Sequence, residues 1–157
     1  MGAVYIAEQL ATRKQRALKV MRPELVSSPK LREKFLQEAQ IGSHIDSEHV
    51  VEVIDAGIES QTGIPWLAME LLRGSTLTDF IARNGPMSAA ATRELFGQLC
   101  HAMAAAHAAG IVHRDLKPDN LFLAEARREG VRFMLKVLDF GIAKLVSEAS
   151  TKSTGAM

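Results

Sequence analysis

Short apolar runs separated by polar turns open the chain and read as strands. "AVYIAEQ" (3–9) and "QRALKVM" (15–21) are two of them, joined by the polar "LATRK". Ser28 and Pro29 then suit the cap and first position of a helix. That helix runs to about His44, with Leu31, Phe35, Ala39 and Gly42 on one inward stripe. "VVEVIDAG" (50–57) and "PWLAME" (65–70) predict two more strands, with "ESQTG" as the turn between them.

Beyond Gly74 the apolar period lengthens to that of a helix. "STLTDFIARNG" (75–85) predicts a short helix ending at Gly85-Pro86. The long helix predicted over 87–110 is capped by Ser88 and stopped by Gly110, and its buried face is Leu95, Phe96, Leu99, Met103 and Ala106. Strands followed by helices imply an α+β arrangement of two small lobes, with "ELLRGS" (70–75) as connector. The closing "SEASTKSTGAM" is polar and rich in Ser and Thr, a loop composition.

Composition narrows the class. Of 157 residues, 47% are hydrophobic and 24% charged, enough for one buried core, and the formal charge is +1. No block of like charges points to nucleic acid or an anionic membrane as the main partner. No apolar run approaches the ~20 residues of a membrane span, no signal peptide is apparent, and the expectation is a cytoplasmic protein. The one cysteine, Cys100, allows no internal disulfide and is expected to be a small core residue. The five histidines show no zinc-ligand spacing.

Four constellations carry chemistry. "VHRDLKPDN" (112–120) fits H-R-D-L-x-x-x-N at every fixed position, and "LDFG" (138–141) supplies D-F-G. "ALKV" (17–20) is close to V-A-I-K, and "MGAVY" (1–5) fits the tail of G-x-G-x-x-G-x-V. In this order and spacing the set resembles a bacterial protein kinase of the eukaryotic-like, Hanks-type Ser/Thr group, along essentially the whole chain. The resemblance implies a two-lobe kinase fold: residues 1–72 as the small lobe and hinge, 73–157 as part of the large lobe. It also implies a truncated domain, lacking its first strand and the first two loop glycines, and ending in the activation segment. The isolated chain is therefore expected to be inactive.

The resemblance also implies roles for individual residues, set by phosphoryl transfer, where positioning and charge neutralisation dominate. Asp115 would accept or orient the proton of a Ser or Thr hydroxyl on a protein substrate, and Lys117 would neutralise the transferred phosphate. Lys19 would pair with the α- and β-phosphates of ATP, held by Glu38 of "FLQEA" rather than by Glu33. Asn120 and Asp139 would be the oxygen ligands of Mg²⁺. Gly2 closes the glycine loop; Val4 and Ala17 would roof the adenine, Phe122 would floor it, and Met69 would guard the back of the pocket. The backbone of Glu70 to Leu72 would bond the adenine edge. Arg114 resembles the receiver of an activation-loop phosphate on Thr151, Ser153 or Thr154, which two paired kinase chains could exchange. His113 is expected to pack in the lobe rather than act in acid–base catalysis, and Gly42 stands where the family usually has an apolar residue. Two other readings are a pseudokinase or nucleotide-binding interaction module, and a small-molecule kinase. Intact Lys19, Glu38, Asp115, Asn120 and Asp139 disfavour the first, and Lys117 disfavours the second.

Overall fold

A computed structural model describes residues 3–21, 35–36, 39, 43–126 and 131–140. Two compact units divide them, one of Met1–His44 with Glu52–Leu71, the other of Ile45–Val51 with Leu72–Phe140.

The first unit is built on four antiparallel strands: β1 (Ala3–Gln9), β2 (Lys14–Val20), β3 (Val53–Ile58) and β4 (Pro65–Glu70), in the order β1-β2-β4-β3. Register decides which side chains share a face, because successive residues on a strand point to opposite sides. Lys19 lies opposite Val4 and Leu67, while Ala17 lies opposite Ile6 and Met69. Val4, Ala17, Lys19, Leu67 and Met69 therefore occupy one face. Leu18, Val20, Trp66 and Ala68 occupy the other. Glu59 closes the β3–β4 turn, accepting from the N–H groups of Gln61 and Thr62 and from the Thr62 hydroxyl. The Thr62 hydroxyl, then those N–H groups, hold its carboxyl far below the usual range. Of the helix expected up to His44, Phe35, Leu36, Ala39 and Ser43 are described and helical, with Phe35 and Ala39 buried as their stripe predicts. Leu31 and Gly42 lie outside the described residues.

The second unit combines a three-stranded sheet with two helices. β5 (Gly74–Thr76), β6 (Leu121–Ala124) and β7 (Met134–Val137) pair antiparallel in that order. α1 (Leu77–Asn84) starts on a reciprocal cap: Thr76 Oγ1 accepts from the Asp79 N–H at 3.1 Å and donates to Asp79 Oδ2 at 2.8 Å. α2 (Ala89–Ala108) starts at Ser88, whose hydroxyl accepts from the Ala91 N–H. Its buried stripe is Ala91, Leu95, Leu99, Ala102 and Ala106, the last four packed in one core with Leu121, Leu135 and Val137. Two expectations fail on this helix. Phe96 is 55% exposed, and Cys100 is exposed as well. Each comes one position after a stripe residue, which turns it about 100° away from the core side. Met103 is half-buried at the edge of the stripe.

β5 enters the sheet through Gly74, at φ +139°, where a Cβ would stand 2.1 Å from the Leu123 carbonyl oxygen. Gly74→Ala therefore combines a left-handed backbone with a backbone collision. The left-handed strain alone costs ~1–3 kcal/mol, and each kcal/mol moves the melting midpoint of a protein this size by about 2–4 °C. Gly85, at φ +77° with nothing within 4 Å of an added Cβ, is the control. Thermal melts should show Gly74→Ala losing clearly more than Gly85→Ala; equal losses would rule out the collision as a cause.

Candidate active site

The charged loop 113–120 is held by hydrogen bonds centred on His113, Asp115, Lys117 and Asn120. Lys117 Nζ donates to Asp115 Oδ2 at 2.8 Å. Asn120 Nδ2 donates to the same oxygen at 3.1 Å and to the Asp115 carbonyl at 2.8 Å. Pro118–Asn120 form a 3-10 turn, and the Asn120 N–H bonds the Lys117 carbonyl. Asp115, Lys117 and Asn120 thus converge, with Asn120 buried.

A second set of bonds ties this loop to the strand end carrying Asp139. The Asp115 N–H donates to His113 Nδ1 at 3.3 Å, so Nε2 carries the proton and donates to the Leu138 carbonyl at 2.8 Å. The buried His113 ring also packs on Phe140, with centroids 4.7 Å apart. The ring is packed within the unit, as expected. The Leu138 N–H bonds the Asn120 carbonyl at 2.9 Å. Arg114 (φ +65°) and Asp139 (φ +56°) hold left-handed backbones, worth ~1–3 kcal/mol of strain each. Both flank this network. Such strain persists only where surrounding contacts over-determine the chain, and that clustering marks functional loops.

The electrostatics are set by this geometry. The Lys117 ammonium bonded to Asp115 holds that carboxyl below its ordinary range, with the Asn120 amide adding to the effect. The same bond pushes Lys117 up, and the charges of Asp119 and Asp139 act in the same direction. Both side-chain hydrogen bonds of Asn120 use Nδ2, which leaves Oδ1 as the atom for a ligand. Asn120 Oδ1 and the Asp139 carboxylate are hard oxygen donors of the kind Mg²⁺ takes, and these two residues would hold it. Among the described residues no group of three or more His, Cys, Asp or Glu side chains is placed to hold a metal ion by itself.

The remaining expected residues divide between the units. Val4, Ala17, Lys19 and Met69 share one face of the first sheet, and Glu70 ends β4, its N–H on the Glu52 carbonyl. Leu72 and Phe122 belong to the second unit. Phe122 opens on a hollow of about 430 Å³ with Gly74–Thr76, Asp79 and Arg83. Gly2 and Glu38 lie outside the described residues, as do Thr151, Ser153 and Thr154. A larger groove, about 660 Å³, is walled by Leu18, Val20, Trp66 and Ala68 on the side away from Lys19. No described helix is long and apolar enough to cross a membrane.

The family model for the protein kinase domain matches residues 1–157. The chain is 43% identical over 145 residues to serine/threonine-protein kinase Pkn1 of Myxococcus xanthus, covering 92% of this chain and 20% of that relative. Among solved structures, the PknI kinase domain of Mycobacterium tuberculosis superposes with a TM-score of 0.75 at 27% identity, covering 90% of this chain and 55% of that one. Rad53 residues 1–466, in complex with AMP-PNP, gives a TM-score of 0.74 at 26% identity over 90% of this chain and 35% of that one. The chain thus spans about a fifth of the curated relative and about half of a solved kinase domain. The fold is the expected α+β one, similar to the kinase domain in both structures.

The Asp115–Lys117 pair sets a pH window. A lowered carboxylate contributes its bond above its unfolded pKa and loses it as pH falls through the folded value. A raised ammonium loses the bond as pH rises through its folded value. Lys117→Met should move Asp115 up toward an ordinary aspartate, read as the carboxyl-carbon titration by NMR. An unmoved titration would show that the N–H donors, not Lys117, set Asp115.

Proposed function

The chain belongs to the protein kinase domain family, and from that membership we propose that its function is transfer of the ATP γ-phosphate to Ser or Thr hydroxyls of proteins. The observation that carries this reading is the convergence of Lys117 and Asn120 on Asp115. A carboxylate held ionised, beside a cation able to meet a phosphate, is what an acceptor hydroxyl needs.

In the proposed reaction the acceptor oxygen forms a bond to the γ-phosphorus as the bond to the β–γ bridging oxygen breaks, leaving ADP. Asp115 orients the hydroxyl and takes its proton. Lys117 offsets charge on the phosphoryl group in flight, and Lys19 holds the α- and β-phosphates. Asn120 and Asp139 would hold Mg²⁺, which neutralises the phosphate oxygens when bound. Val4, Ala17, Met69 and Phe122 would enclose the adenine, with the backbone of Glu70 to Leu72 along its edge. That Rad53 is solved with AMP-PNP supports a nucleotide of this class. Arg114, exposed beside Asp115, would receive a phosphate placed on Thr151, Ser153 or Thr154 by a second copy.

The test uses the chain extended to a complete kinase domain. Asp115→Asn should lower kcat by ~10²–10⁴-fold, with the KM for ATP little changed. Lys19→Met should reduce transfer strongly, and Glu33→Ala should not. Transfer from labelled ATP that survives Asp115→Asn would sink the assignment. Equal losses from Lys19→Met and Glu33→Ala would undo the role given to Lys19.

A further inference from the structure

An edge strand presents one row of backbone groups with no neighbouring strand to bond. β7 pairs on one side with β6, so its outer row runs from the Phe133 carbonyl to the Val137 carbonyl. Every group in that row has a partner. Gln98 Nε2 donates to the Phe133 carbonyl at 3.3 Å, and the Leu135 N–H donates to Gln98 Oε1 at 2.7 Å. His49 Nδ1 donates to the Leu135 carbonyl at 3.2 Å. The Val137 N–H then bonds the His49 carbonyl at 2.8 Å, and the Val51 N–H bonds the Val137 carbonyl at 3.0 Å.

The first part of this row is held by a single side chain. The Gln98 amide offers one donor and one acceptor to residues two apart, as a peptide group of a neighbouring strand would. Only one orientation of the amide satisfies both bonds. Gln98 also lies beside the apolar stripe of α2, next to Leu95, Leu99 and Ala102. An apolar residue there would fill the same space and leave the Phe133 carbonyl and the Leu135 N–H unpaired.

The row matters because β7 leads directly into Asp139. Two residues after Val137 the chain turns left-handed at Asp139, with Leu138 bonded to both His113 and Asn120. A shift of β7 along its axis displaces Asp139, and a one-residue slip turns its side chains to the opposite faces. Backbone bonds from residues 49–51 grip the strand at Val137, and Gln98 grips it at residues 133–135.

We propose that Gln98 is a positioning residue of the phosphotransfer site, fixing the register of β7 and through it the placement of Asp139. This rests on the kinase reading above. Supporting residues behind metal ligands are typically worth ~10–100-fold in metal affinity or activity.

Gln98→Glu separates positioning from bulk packing, because its effect depends on pH. As a carboxylate, Glu accepts from the Leu135 N–H but has no proton for the Phe133 carbonyl. As a protonated acid it donates to that carbonyl and accepts from Leu135, restoring the pattern of Gln. Partial burial against a carbonyl raises its pKa, which brings the change toward neutral pH. In the extended domain, the Mg²⁺ needed for half-maximal transfer should be ~10–100-fold above the unsubstituted protein at about pH 8 and approach it as pH falls. Gln98→Met should stay impaired at every pH, and the KM for the acceptor peptide should change in neither variant. Amide hydrogen exchange at Leu135 should quicken in Gln98→Met and stay near that of the unsubstituted protein in Gln98→Glu, which keeps an acceptor for that N–H at either pH. Gln98→Glu matching the Mg²⁺ dependence of the unsubstituted protein at every pH, or that of Gln98→Met at every pH, would overturn the proposal. If Gln98→Met does not fold, the pH profile of Gln98→Glu decides alone. If the unsubstituted protein transfers no phosphate, the kinase reading fails and takes this inference with it; transfer with normal Mg²⁺ dependence in both variants rejects the inference alone.

Discussion

The buried side chain of Asn120 is the constraint on which the described half of the site depends. Its amide nitrogen reaches the carbonyl and the carboxylate of Asp115, its backbone carbonyl takes the Leu138 N–H, and its own N–H closes the turn from Lys117. Loop and strand end are thereby one hydrogen-bonded object. A buried polar network of this kind is high-stakes: fully paired it fixes a unique geometry, and with one member missing the rest lose their partners in a poorly solvated place. His113 supplies the parallel tie through Leu138, and its buried ring packs at a tilt on Phe140.

Two residues of this object are strained by its shape. Arg114 and Asp139 take left-handed backbones with full side chains, at a cost of ~1–3 kcal/mol each. Glycine at either position would relieve that cost but would remove a cation or a carboxylate. The strain sits where the chain must reverse direction immediately beside a charged group. The bonds of Asn120 and His113 are the local compensation, and the close-packed Leu121, Leu135 and Val137 beneath them offer no room to relax.

Much of this is legible in the sequence because the signals are local. Strands 3–9 and 65–70, the Ser88 cap and the helical stripe through Leu95, Leu99 and Ala106 can be read from spacing alone. Phe96 and Cys100 depart from that reading because periodicity gives a face only to within one residue, and both adjoin the buried stripe. β5 is hidden in the connector because three residues carry too little pattern to be seen as a strand. Asp115, Lys117 and Asn120 are legible as a motif, but the tautomer of His113 and the strain at Arg114 are not. Gln98 and His49 escape sequence reasoning for a different reason. Their bonds join side chains to backbone across 35 to 86 residues of sequence, and such contacts leave no periodic trace. The one available hint is a polar amide beside the apolar stripe of α2.

The position of Lys117 has a further electrostatic logic. Asp115, Asp119 and Asp139 all contribute to raising it, Asp115 first through the direct bond. One cation therefore faces three carboxylates, and like charges brought together favour protonation of one of them. Lys117 opposes that tendency at Asp115, which is held down chiefly by this bond. The ammonium is also partly open to solvent, as is the carboxylate it bonds, so the pair is not locked in a dry interior. An exposed ion pair contributes little to folding. Its effect on the site is local: it holds the Asp115 carboxyl below its ordinary range and keeps beside it a cation that water still reaches. A buried pair would hold the carboxylate more firmly, but at a larger desolvation cost to both charges. The half-exposed setting of Asp115 and Lys117 thus leaves the two charges paired with each other and still within reach of solvent.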